Sequence, residues 1–148
     1  MFEQDGKSPL FGSAGTITPK GIKQGGLNDC WFMAGVTALA ENPERLNNVI
    51  HVNSRKSYNY QGIFRYYFWV KDKWVPINID DRLPARHYYS NSDKYFTTIF
   101  GGKSNSGAWW MPLFEKAYAK LNGNYNRLQW GTGAESLRML TNKPVFFF

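Results

Sequence analysis

The chain has 148 residues, 18 Lys and Arg against 11 Asp and Glu for a formal charge of +7, and 6 Trp, 9 Tyr and 11 Phe. That length holds one domain with a real core, and so heavy an aromatic content excludes a disordered chain. No run of about 18 apolar residues is present to span a membrane, and the one cysteine excludes an internal disulfide. The basic residues are scattered rather than gathered into the stripe that nucleic acid requires.

Residues 1–23 are rich in Gly, Ser, Pro and Thr and read as an extended lead-in; they lack the basic and apolar regions of a secretory signal. With a single thiol, this points to a reducing, cytoplasmic setting. Residues 30–41 are apolar nearly all round and predict a buried helix, broken by Asn42-Pro43 and followed by a second short helix over 44–50. A polar loop covers 51–62. Residues 63–70 and 74–79 are dense in aromatic and β-branched residues around Lys71-Asp72-Lys73, which predicts an antiparallel hairpin. The polar, Tyr- and Ser-rich stretch 85–107 reads as a long loop. Residues 109–121 have helical spacing, with Pro112 tolerable near the first turn and Asn122-Gly123 as the stop. Thr132 and Glu135 form a T-x-x-E capping box ahead of a last helix over 133–141. The closing Phe146-Phe147-Phe148 is expected to pack on the domain or on a partner.

Chemistry concentrates at 24–35, QGGLNDCWFMAG, which holds Cys30. A thiol attacks as thiolate, and a helix N-terminus, with its unpaired N–H groups and dipole, favours that anion. Asn28 or Asp29 as N-cap places Cys30 in the first turn of the buried helix. Its backbone N–H can donate to an oxyanion, and Gln24, brought back by Gly25-Gly26, can supply a second donor. The ordinary alternative is a small buried hydrophobe, the commonest role of a cysteine on an apolar helix.

Three segments in order, QGGLNDCWFMAGVTALAENPERL, GIFRYYFWVKDKWVPINIDDRLP and LFEKAYAKLNGNY, resemble the calpain family of papain-like cysteine proteases. The resemblance implies an α+β fold: a helical subdomain around the buried Cys30 helix with a small antiparallel hairpin. It implies a lead-in over 1–12 and the first subdomain of the protease core over 13–148. By the same resemblance Cys30 is the nucleophile, Gln24 the oxyanion-hole side chain and Trp31 a packing residue beside the site. Gly131 falls where the family presents backbone to an extended peptide substrate; it reads equally as a turn glycine before the last helix, and Trp130 replaces a further family glycine.

The family places its catalytic His and Asn on a second subdomain, expected here in cis or in trans. The two histidines, His51 and His87, match no family motif and read as surface residues, so nucleophilic catalysis within this chain lacks its general base. The two carboxylates with which typical calpains hold calcium in this subdomain are replaced by Gly21 and Ala108, and Pro19 replaces a basic residue that couples the subdomains. No calcium or other cofactor is therefore expected. Two functions follow from the resemblance: the nucleophile-bearing part of an intracellular endopeptidase acting on polypeptides, or a non-catalytic interaction module derived from one.

Overall fold

A computed structural model describes residues 10–51, 62–90, 93–101 and 107–146, with residues 87–90 and 93–97 described by backbone alone. The Cys30 helix, α1 (Cys30–Ala40), buries Phe32, Met33, Gly35, Val36, Leu39 and Ala40. After Asn42, whose side chain accepts from the Glu44 N–H, the expected second helix shortens to a single 3-10 turn, Pro43–Leu46. It is cut short because Ile50 leaves helical geometry to pair with Tyr66 as an isolated antiparallel bridge.

Strands β1 (Ile63–Val70) and β2 (Lys73–Asp80) form the hairpin expected at 63–79, in register from Ile63 opposite Asp80 to Val70 opposite Lys73. Its turn is Lys71-Asp72, both at positive φ (47° and 58°), the geometry that follows the right-handed twist of the flanking strands. Alternation on β1 sends Phe64, Tyr66 and Phe68 inward.

The loop expected over 85–107 is in part a second hairpin, β3 (Ala85–Ser90) and β4 (Asp93–Thr98), a separate two-stranded sheet. Tyr88, Tyr89, Tyr95, Phe96, Thr97 and Thr98 carry strand propensity that the polar residues between them masked.

Helix α2 (Trp110–Asn122) carries Pro112 in its first turn, where the missing N–H has no helical partner to lose, and ends at Gly123 with φ 100°. Leu10 O accepts the Trp109 and Trp110 N–H groups, both at 2.9 Å, so the expected lead-in is anchored here, with Leu10 and Phe11 in the core. Helix α3 (Gly133–Thr141) has the bounds its capping box predicted: Thr132 Oγ1 accepts the Glu135 N–H at 3.3 Å, and Asn142 closes the other end in the left-handed region.

The core centre is aromatic and draws on three elements. Phe114 of α2 stacks on Tyr66 of β1 (4.9 Å between centroids) and meets Phe68 of β1 at 5.6 Å and Phe32 of α1 at 5.5 Å. Phe32 in turn stacks on Tyr118 at 4.5 Å. Helices α1 and α3 cross closely because Gly35 leaves room for Ser136, whose Oγ lies 2.0 Å from where a Gly35 Cβ would stand. Lys116 of α2 fastens the Asp-Asp-Arg-Leu-Pro exit of β2 by donating to Asp80 Oδ1 (2.5 Å) and to the carbonyls of Asp80 and Arg82. Phe146 is 71% exposed; Phe147 and Phe148 lie outside the described residues.

Candidate active site

Cys30 is the first residue of α1 and is exposed, so the buried-hydrophobe alternative does not hold. The loop before it is packed against residues 99–101. Gly25 has no room for a side chain, since a Cβ would lie 1.6 Å from Phe100 O, and the Gly26 N–H donates to Ile99 O at 3.1 Å. Gln24 is exposed, and its Nε2 donates to Leu27 O at 2.9 Å; the amide has a second N–H to offer.

The expected side-chain cap is absent. Asp29 occupies the N-cap position, but its carboxylate makes no capping bond; the Phe32 and Met33 N–H groups go to its backbone O instead. The side chain turns inward, where Asp29 and Glu115, 0% and 1% exposed, lie close enough to interact. Burial pushes the Glu115 carboxyl up to about 9, and the hydrogen bond and negative charge of Asp29 add to this, while the Gly101 N–H pulls the other way. Burial also raises Asp29, against the Glu115 hydrogen bond. Two interacting desolvated carboxyls resist ionising together, and the pair keeps a proton at neutral pH. Glu115 Oε2 accepts the Gly101 N–H at 2.8 Å.

Sequence reasoning passed over this pair, though a signal was there. Met111, Glu115 and Tyr118 fall at helical spacing on one face of α2, so Glu115 sits among residues bound for the core.

Gly131 lies against Trp31: a Cβ would stand 2.3 Å from Trp31 Cε2. The indole cannot easily yield, because Trp31 Nε1 donates to Leu128 O at 2.9 Å and the ring meets Tyr118 edge-on at 5.8 Å. Gly131→Ala is expected to cost about 1–3 kcal/mol by overpacking, read as a lowered Tm. The Trp130 N–H donates to Asn28 O at 3.3 Å, so this segment runs beside the residues leading into Cys30. Trp130 itself is 80% exposed at φ 72°, a region costly for a bulky L-residue. His51 lies on the β1 side of the molecule, its backbone N–H donating to Arg65 O and its ring 6.1 Å from that of Tyr67. His87 is in β3, where only the backbone is described.

Gly21 and Ala108 are brought together: a Cβ on Gly21 would stand 3.4 Å from Ala108 Cβ and 2.4 Å from Trp110 Nε1. The methyl group of Ala108 and the indole of Trp110 thus lie against Gly21.

A family model described as calpain family cysteine protease matches residues 4–148. Human Calpain-14 is 40% identical over 114 residues, 77% of this chain and 16% of that protein. Human Calpain-8 is 38% identical over 141 residues, covering 95% and 19%. The human Calpain-2 catalytic subunit is 37% identical over 127 residues, covering 86% and 17%. The chain thus spans less than a fifth of the length of these relatives. With an exposed cysteine heading a buried helix, and a family match over nearly every residue, the chain belongs to the calpain family of cysteine proteases.

Proposed function

We propose that this chain is the nucleophile-bearing part of a cysteine-type endopeptidase. The carrying observation is the placement of an exposed Cys30 at the first position of α1, directly after the loop that bears Gln24. Cys30 Sγ attacks the peptide carbonyl, and the oxyanion receives the Cys30 N–H and a Gln24 Nε2–H. Gly131 offers its backbone to the extended substrate beside Trp31. An imidazole must take the thiol proton and return it to the leaving amine, and an Asn must orient that imidazole. Both are supplied by a second protease subdomain, in cis or in trans. The protein works in the cytoplasm, and its first subdomain needs no calcium ion of the family type. The module reading draws its support from the two histidines of these 148 residues, neither of which matches the family's histidine motif.

Iodoacetamide labelling followed by intact mass tests this reading. One label is expected on the wild type and none on Cys30→Ser. A peptidyl aldehyde, which forms a hemithioacetal with its oxygen in the oxyanion position, is expected to protect Cys30, and equally so in EGTA and in millimolar calcium. Gln24→Ala should weaken protection about 10-fold or more, as loss of one oxyanion donor does. An exposed thiol that no aldehyde protects would instead favour the module.

A further inference from the structure

We propose that Glu115 is a positioning residue: from α2 it joins Asp29, at the head of the Cys30 helix, to Gly101, in the segment that backs Gln24, so that nucleophile and oxyanion loop are held as one body. The inference rests on the endopeptidase reading and adds what fixes its two proposed catalytic groups relative to one another.

The contacts form a closed circuit. Glu115 lies against Asp29 in the buried interior and accepts the Gly101 N–H at 2.8 Å. Phe100 and Ile99, just before Gly101, press on the same loop from behind, one filling the space left by Gly25 and the other accepting from Gly26. Tyr125, in the turn that follows α2, stacks on Phe100 at 4.0 Å. Gln24 precedes Gly25 directly, and Cys30 follows Asp29 directly, so both groups hang from residues the circuit holds.

Stability alone does not account for the pair. Two buried carboxyls pay desolvation that an apolar pair of equal volume avoids, and Asp29 gives up an ordinary capping bond to make the contact. Asp29 Oδ1 and Oδ2 and Glu115 Oε1 are buried, and besides Glu115 only the backbone of Asp29 itself favours the Asp29 carboxylate among the described residues. An arrangement that costs stability and spans two loops beside the nucleophile is accounted for by the geometry it imposes.

Hydrogen exchange and aldehyde protection on the full chain test this. Glu115→Met keeps length and volume but neither hydrogen bond; Glu115→Gln keeps both, its amide donating to Asp29 and its oxygen accepting from Gly101. Glu115→Met is expected to speed exchange at least 10-fold over both 24–29 and 98–101, with α3 unchanged. Aldehyde protection should weaken about 10-fold, iodoacetamide labelling should stay within about twofold, and Glu115→Gln should restore both readouts. Met139→Ala, a core change in α3, should lower Tm without altering protection. Faster exchange confined to 98–101 would overturn the proposal, as would a Glu115→Gln variant that behaves like Glu115→Met. If no aldehyde protects even the wild type, the endopeptidase reading fails, and exchange alone still decides whether Glu115 couples the two segments.

Discussion

Raising the pH from about 5 to about 9 will destabilise this domain, and Glu115→Gln will remove most of that loss. Glu115 titrates near 4.5, the ordinary value of a glutamate, when unfolded and at about 9 when folded. Between those values the folded chain keeps a proton that the unfolded chain has released, so stability falls as pH rises. It is fully present below the unfolded value and is lost through the folded one. One such proton gives a slope of ~1.4 kcal/mol per pH unit. Asp29, raised from 3.8, acts in the same direction from a lower starting pH. Asp80 opposes both: Lys116 lowers it, so its contribution is lost as pH falls, below the window that matters here. Urea midpoints at several pH values between 5 and 9 measure the slope. A wild type whose midpoint does not fall across that range would show that the pair does not share a retained proton.

Local patterns in the sequence reached far into the fold. The α3 bounds came from one capping box, because Thr132 and Glu135 act within a single turn. The first hairpin was legible because alternation of Phe64, Tyr66 and Phe68 with outward residues marks one buried face. The position of the thiol at a helix start was readable from Asn28-Asp29 and the apolar run after it, its exposure was not, and the family came from three ordered motifs. What escaped were the long-range relations. Asp29 looked like a cap because caps are local, whereas its true partner lies 86 positions away in sequence, on α2. The second hairpin escaped because it lacks a clean alternation of polar and apolar residues. The close approach of Gly25 to Phe100 is a contact between loops, and nothing in the spacing of either announces it.

Phe114→Ala should be the costliest single truncation considered, at about 3–5 kcal/mol. The ring is 0% exposed and touches Phe32, Tyr66 and Phe68, side chains anchored on two other elements. Those neighbours cannot close the void together: a shift of α1 toward the gap would carry Phe32 away from its stack on Tyr118, and β1 is fixed by its full register with β2. Against a typical domain stability of about 5–15 kcal/mol, that loss removes much of the folded population's margin. Phe146→Ala, at a ring 71% exposed, should change stability by less than about 0.5 kcal/mol and serves as the control. Urea unfolding followed by tryptophan fluorescence reads both. A Phe114→Ala cost below about 1.5 kcal/mol would mean that the three elements can repack without the ring. The Cys30 helix would then be aimed by its Gly35–Ser136 crossing with α3 rather than by the aromatic stack two residues into its first turn.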